Sequence, residues 1–282
     1  MKALLVLLRT SLLIFLGFVL ISILYFFLYS KPSHYHGKIK PLDFSLSYED
    51  VSVKSYDGKR LKAWFIPSKK SLSAIIMLHG WPADKSDILP YTHFLSKNFS
   101  LLYTDIRGMG ESEGMICGGK DEIKDIKRWI DYLRSRNIKR IGIFGYSYGG
   151  FIATRAINEI EELDFAIVDS PFNSISWVIK KLVLYKNPAE KILLPLISLN
   201  YKIFCGESDK GFSVDNALKR IKKKTLIICG DKDDICFNES IKYNLKINPY
   251  VKIQIMEGFS HGETPFSKNY KNIINSFLNN SI

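Results

Sequence analysis

Ile141-Gly142-Ile143-Phe144-Gly145-Tyr146-Ser147-Tyr148-Gly149-Gly150 places a serine between glycines, after a short apolar run and just before a helix-patterned stretch at residues 151–159. An apolar run of this length, closed by glycine, reads as a buried strand. A strand that turns directly into a helix brings two backbones very close, and Gly145 and Gly149 lack the side chains that would collide there. The serine at the apex projects away from the sheet, as a nucleophile must. Ser147 is therefore the candidate nucleophile. The backbone N–H of Tyr148, the residue following the nucleophile, is a candidate donor to an oxyanion.

A serine hydroxyl is a weak nucleophile near neutral pH, so a histidine must take its proton and a carboxylate must hold that histidine in the right tautomer. Among five histidines, His34 and His36 fall in a polar linker, His79 in a loop after an early strand, and His93 in a helix-like surface stretch. His261 alone follows the last strand-like run, in the loop Glu257-Gly258-Phe259-Ser260-His261-Gly262, where a rigid scaffold can aim a base. Cys229-Gly230-Asp231-Lys232-Asp233-Asp234 offers three carboxylates after another apolar strand, and Asp169 at the end of an earlier strand is a fourth. The acidic cluster lacks the spaced ligands and terminal glutamate of a calcium loop. A second oxyanion donor is expected in His79-Gly80-Trp81, with the backbone N–H of Trp81 the natural choice.

The surrounding chain alternates strand-like and helix-like segments, which is α/β grammar. Residues 51–55 and 61–66 read as an antiparallel hairpin around Tyr56-Asp57-Gly58-Lys59, since Asp-Gly accommodates a tight turn. Runs at 74–78, 99–104, 141–144 and 165–168 look like buried parallel strands. Further runs at 225–229 and 251–256 are each followed by a segment able to form a helix. Within 122–136, Ile123, Ile126, Trp129, Ile130 and Leu133 share one helical face that should pack on the sheet. The alternation breaks at about 171–224, read as a helical cap whose Trp177, Val178, Leu182, Val183, Leu184, Leu193, Leu194, Leu196 and Ile197 either line an acyl pocket or pack among themselves. The expected division is a membrane segment at 1–30, a linker at 31–41 and a catalytic domain at 42–282 containing the cap.

The first thirty residues differ in composition from the rest. Thr10 through Tyr29 carry no charge, and about 20 helical residues rise roughly 30 Å, the thickness of a bilayer's hydrocarbon core. The run ends in Tyr25, Phe26, Phe27, Leu28 and Tyr29 rather than in a small-residue cleavage site, which favours an uncleaved, single-pass signal anchor over a cleaved signal peptide. With the chemical set lying far downstream, the segment is expected to anchor and to take no part in catalysis. The net charge of +12 includes a dense run at Lys219, Arg220, Lys222, Lys223 and Lys224 without interleaved aromatics. Such a run reads as a solvated face, and no nucleic-acid partner is expected. Cys117, Cys205, Cys229 and Cys236 match neither a disulfide-dense scaffold nor a zinc site.

Taken together, Tyr56-Asp57-Gly58, His79-Gly80-Trp81, Asp105-Ile106-Arg107-Gly108-Met109-Gly110-Glu111-Ser112, Gly145 through Gly150, Gly230-Asp231-Lys232-Asp233 and Ser260-His261 resemble the α/β-hydrolase superfamily from Val51 to the C-terminus. Within it the chain is similar to the serine hydrolases near prolyl-oligopeptidase-like and serine-aminopeptidase-like proteins. The resemblance implies a mostly parallel sheet flanked by helices, an insertion cap, and an acid three residues after the glycine that ends its strand, which selects Asp233. Cys236-Phe237 stands where many relatives have a proline. The implied chemistry is cleavage of a carboxylic ester or thioester, on a small-molecule or acyl-lipid substrate, without metal or organic cofactor. A peptidase or amidase, and a non-catalytic membrane-anchored binding protein of the same fold, are the alternatives.

Overall fold

In a computed structural model of the chain, all residues are described except 33, 34, 70, 187, 209, 237–247 and 282. His34 and the helix-capable segment after the 225–229 run lie wholly or largely outside the described residues. The chain begins with helix α1 (Lys2–Ser30), followed by strands β1 (Glu49–Lys54), β2 (Arg60–Ile66) and β3 (Ser73–Leu78). A short helix α2 (Leu89–Thr92) leads to β4 (Ser100–Thr104), α3 (Lys120–Ser135), β5 (Arg140–Tyr146), α4 (Tyr148–Glu159) and β6 (Phe165–Asp169). Helices α5 (Ile175–Lys186), α6 (Leu194–Cys205) and α7 (Val214–Leu218) precede β7 (Lys224–Gly230), β8 (Val251–Met256) and α8 (Tyr270–Ser281).

The described strands form one sheet in the order β1-β2-β4-β3-β5-β6-β7-β8. β1 and β2 are the antiparallel hairpin, and Gly58 takes a φ of 80° in its turn, a value that costs glycine little. β2 pairs antiparallel with β4, and from β4 onward every pairing is parallel. The central strands are continuously apolar because both faces are covered. Along β3, Ile76 and Leu78 join the core on one side with Ile126, Trp129 and Phe151, whereas Ile75 and Met77 face the other with Leu89, Phe94 and Phe277. That division is the two-residue period of a strand. The apolar face of α3 is buried as its spacing requires, through Ile123, Ile126, Trp129, Ile130 and Leu133.

Two buried ion networks hold the loops behind the sheet. Lys85 bonds Asp105 at 2.6 Å and Glu111 at 2.5 Å, while Arg107 bonds Asp125 at 2.6 Å and also reaches Asp57 and Asp121. Removing one partner from such a pair strands a buried charge, a cost of about 3–5 kcal/mol. The tight turn in the Asp105–Ser112 motif explains its glycine: a side chain at Gly110, whose φ is 54°, would meet the Asp105 carboxylate at 2.3 Å. His79 is fully buried in this frame. Its Nε2 accepts from the Ile106 N–H at 3.1 Å and its Nδ1 donates to the Gly80 carbonyl at 2.7 Å.

Among the described residues α1 is the one helix long and apolar enough to cross a membrane, a property it shares with signal sequences. It is not isolated from the domain. Ser22, Phe26 and Ser30, four residues apart on one helical face, are buried against the catalytic domain, while Leu4, Leu5, Leu8, Leu12 and Leu16 are exposed. Cys117 and Cys205 form a disulfide joining the loop before α3 to the end of α6, a pairing that the spacing of the cysteines did not reveal. In the basic run, Lys223 turns inward to donate to the carbonyls of Ile160 and Glu161 at the C-terminal end of α4, while Lys219, Arg220, Lys222 and Lys224 stay exposed.

Candidate active site

Ser147 sits between β5 and α4 with φ 52° and ψ −110°, a backbone conformation unusual for a residue with a side chain. Such strain persists only where the surroundings over-determine it. Here they do: a Cβ on Gly145 would lie 2.1 Å from the Gly149 carbonyl oxygen, and one on Gly149 would lie 2.4 Å from the Leu78 carbonyl oxygen. The Ser147 N–H donates to the Asp169 carbonyl at 2.9 Å and the Gly149 N–H to the His79 carbonyl at 3.1 Å. Neighbouring strand ends thus clamp the turn from both sides.

His261 and Asp233 arrive from two other loops at the same edge of the sheet. His261 Nε2 lies 3.0 Å from Ser147 Oγ, and Nδ1 lies 2.8 Å from Asp233 Oδ2. The second oxygen of Asp233 accepts the backbone N–H groups of Ile235 at 2.9 Å and Cys236 at 2.7 Å, so its side chain is fully buried yet satisfied. The β7 and β8 loops approach so closely that a side chain at Gly230 would meet the Phe259 carbonyl oxygen at 2.0 Å. The other carboxylates point elsewhere. Asp231 accepts the Gly258 N–H at 2.6 Å, and Asp234 is exposed.

Asp169, the fourth carboxylate considered, is directed away from the imidazole edge and accepts hydroxyl protons from Tyr270 at 2.7 Å and from Thr264 at 2.8 and 2.9 Å. Complete burial pushes its carboxyl up to about 6, with the Tyr270, Thr264 and Ser170 hydroxyls pulling the other way. Because Thr264 follows His261 by three residues and the Asp169 carbonyl holds Ser147, this residue positions both loops from below. A carboxylate at a strand end was visible in the sequence; its partners were not.

Trp81 and Tyr148 line the same cavity as Ser147, and among the described residues neither backbone N–H donates to a protein acceptor. Gly80 brings the Trp81 loop within contact, since a Cβ there would lie 3.4 Å from the Ser147 Cβ. Tyr148 also begins α4, whose N-terminal dipole favours negative charge. Its side chain is buried, donating to Glu122 at 2.8 Å and accepting from the Gly118 N–H at 3.2 Å. Burial raises the Glu122 carboxyl above its ordinary range, against the donors from Cys117 and Tyr148.

Above these groups lies a cavity of about 260 Å³, near the lower end of small-molecule sites at roughly 300–1,000 Å³. Among the described residues its lining is apolar apart from Ser147, His261, Ser30 and the tyrosine hydroxyls, and holds no acidic side chain. Of the cap residues singled out in the sequence, Val178 and Ile197 reach it, while Leu193 is buried beside Ile197 and Trp177 packs on the core. The side chains of Leu182, Val183 and Leu184 are outside the described ones. α1 is not separate from the candidate site: Tyr25, Phe26, Tyr29 and Ser30 line the same cavity as Ser147 and His261. Polar contacts explain its position. The Trp81 indole donates to the Tyr29 carbonyl at 3.1 Å and the Ile116 N–H to the Ser30 carbonyl at 2.9 Å.

An esterase of Pyrococcus furiosus, Pf2001, has the same architecture with a TM-score of 0.74 and 25% identity, covering 89% of this chain and 98% of that one. This chain is an α/β hydrolase. The hydrolase also matches, at residues 54–184, the family described as X-Pro dipeptidyl-peptidase (S15 family), a stretch short of half its length. YfhR of Escherichia coli O157:H7 is 28% identical to it over 253 residues, 83% of this chain and 82% of that protein. Thiohydrolase aneE of Aspergillus aculeatus is 30% identical over 118 residues, 39% of the hydrolase and 37% of the relative. The serine hydrolase branch of the superfamily is consistent with all of these.

Proposed function

We propose that this hydrolase is a serine esterase or acyl hydrolase that cleaves a carboxylic ester or thioester through an acyl-enzyme, held at a membrane by α1. The observation that carries the reading is the unbroken hydrogen-bonded line from Ser147 through His261 to buried Asp233, opening into an apolar cavity. Ser147 Oγ attacks the carbonyl carbon as its proton passes to His261 Nε2, and Asp233 stabilises the resulting imidazolium through Nδ1–H. The tetrahedral oxyanion is received by the N–H groups of Trp81 and Tyr148, an arrangement in which one donor is worth about 3 kcal/mol. His261 then returns the proton to the leaving alcohol or thiol. Water, deprotonated by the same nitrogen, cleaves the acyl-serine and regenerates the hydroxyl. In this reading residues 171–224 are a cap on the catalytic domain of residues 42–282, residues 31–41 a linker, and residues 1–30 the membrane segment.

The printed names of the Pyrococcus furiosus esterase and the Aspergillus aculeatus thiohydrolase support ester or thioester cleavage. The S15 match raises the peptidase reading. A cavity without an acidic side chain to receive a peptide's terminal amine weighs against it. The test is a fluorophosphonate probe followed by turnover of matched ester, thioester and aminoacyl-amide panels on the full-length protein in detergent. Labelling at Ser147 with ester or thioester turnover is the expected result. Activity confined to the amides sinks the esterase reading, and activity persisting in Ser147→Ala sinks the mechanism.

A further inference from the structure

We propose that the last turns of α1 are part of the substrate site, and that the acyl group transferred to Ser147 is a long chain drawn from a membrane lipid. The inference rests on the serine acyl-hydrolase reading above and adds to it both a substrate class and a route of entry.

Length places the membrane boundary at the cavity. Whether the span is counted from Ala3 or from Thr10, about 20 helical residues fill the hydrocarbon core, so its far end falls between Ser22 and Tyr29. That is the stretch whose face is buried on the catalytic domain. Docking there is specific rather than greasy contact alone. Asn200 of α6 donates to Ser22 Oγ at 2.9 Å, and Phe26 stacks on Phe204 with ring centroids 5.0 Å apart. A buried amide–hydroxyl pair inside an otherwise apolar helix fixes one rotation and one depth.

The helix is then joined to the reacting centre at two points. The Tyr29 carbonyl receives the indole of Trp81, which lines the cavity beside Ser147, and the Ser30 carbonyl receives the N–H of Ile116, next to the disulfide that ties that loop to α6. One turn before these joints, Tyr25 and Phe26 line the cavity together with Val178 and Ile197. The outer face of α6 continues this apolar surface into solvent: Ile203, next to Phe204, is 63% exposed and Leu199, one turn before it, 51%. Exposed side chains of that size beside a membrane helix belong at the headgroup–acyl boundary. A cavity floored by a nucleophile, walled by a membrane helix and rimmed by apolar side chains suits an acyl chain that need never cross water. Each methylene it buries is worth about fourfold in binding.

The experiment uses the full-length protein in phosphatidylcholine vesicles and compares kcat/KM on acetyl and palmitoyl esters of one chromogenic alcohol. Tyr25→Ala/Phe26→Ala is expected to lose at least about tenfold more on palmitoyl than on acetyl ester. Leu12→Ala/Leu13→Ala, on the exposed part of α1, should leave that ratio alone. Fluorophosphonate labelling of Ser147 reports whether each variant keeps a formed site. Should the wall variant fail to label, Ile197→Phe replaces it, narrowing the cavity from α6 and moving the preferred chain to a shorter one. Presenting the palmitoyl ester in vesicles and on albumin separates the two sources of an acyl chain. Faster turnover from vesicles is expected, and equal or faster turnover from albumin overturns entry from the bilayer. If Ser147 labels and acetyl ester is cleaved while the chain-length ratio ignores Tyr25, Phe26 and Ile197, this inference falls and the serine-hydrolase reading stands. Activity that persists in Ser147→Ala removes both.

Discussion

The floor and the wall of the cavity are built by different physics. Ser147, Asp233 and His261 stand on loops at the ends of β5, β7 and β8; Ser147 is held by the Asp169 carbonyl, Asp233 by backbone N–H groups of its own loop, and His261 by the Asp233 carboxylate. The wall of α1, α5 and α6 is held mainly by apolar and aromatic contacts, with one amide–hydroxyl pair, two hydrogen bonds to the carbonyls of Tyr29 and Ser30, and one disulfide. Directional bonds fix atoms to within tenths of an ångström, whereas apolar contacts fix shape and tolerate exchange. In the proposed reading, chemistry therefore belongs on the floor and selectivity on the wall.

The comparison is broken most severely by removing a floor side chain that touches the substrate. Ser147→Ala and His261→Ala are each expected to lower kcat on the order of a millionfold, the scale for members of a jointly acting unit, with circular dichroism and melting unchanged. Stopped-assay turnover on the best ester of the panel is the measurement. Comparable turnover in either variant would place the reaction elsewhere.

Next in size is the acid. Asp233→Asn should lower kcat by roughly ten-thousandfold, because an amide at this position favours the wrong imidazole tautomer. Asp234→Asn should be close to silent, since its side chain is exposed. Asp231→Asn should act only through the Gly258 turn. Equal losses at all three positions would show that the turn matters and not the carboxylate facing His261.

A smaller effect is expected from the wall's covalent tie. Replacing Cys117 and Cys205 with serine opens a crosslink between residues separated by 88 positions, and denaturant unfolding should report a loss of about 2–4 kcal/mol. Labelling of Ser147 under native conditions should survive, because none of the floor's hydrogen bonds passes through the disulfide. A labelling loss that parallels the stability loss would mean that wall and floor fold as one unit.

The smallest effect concerns Asp169. Its folded carboxyl titrates at about 6, above the unfolded value near 3.9. Between roughly pH 4 and 6 the folded state binds more protons than the unfolded state. Stability from this group is therefore full below about pH 4 and is lost as pH rises through about 6, by an amount on the order of 3 kcal/mol. Asp169→Asn should flatten that part of the melting-temperature profile. An unaltered slope would show that other carboxyls produce it.

How much of this was legible follows from how local each feature is. The sheet was readable because buried parallel strands are uninterrupted apolar runs: 74–78 and 165–168 became Ser73–Leu78 and Phe165–Asp169 with shifts of one residue. Gly145 was readable because its crowding against Gly149 arises within the strand-to-helix turn itself, whereas Gly149 is crowded by the Leu78 carbonyl of another strand. Asp231, Asp233, Asp234 and Asp169 were not separable by spacing alone, since which carboxylate meets His261 depends on two loops converging from different strands. The docking of α1 was not legible for the same reason. Its composition announces a helix long and apolar enough to cross a membrane, but nothing along residues 1–30 says that Ser22 will meet Asn200.

By itself, then, the amino-acid sequence determined the alternation of strands and helices, the place of the glycine-flanked serine turn and the apolar N-terminal helix, because each is written in neighbours within about one element's length; the strain at Ser147 is held by the ends of other strands. Tertiary structure alone decided which carboxylate faces the imidazole, which cysteines pair, and that a helix suited to a bilayer also walls the cavity over Ser147. Those contacts join residues more than twenty-five positions apart, and only the packing of the whole sheet brings them within bonding distance.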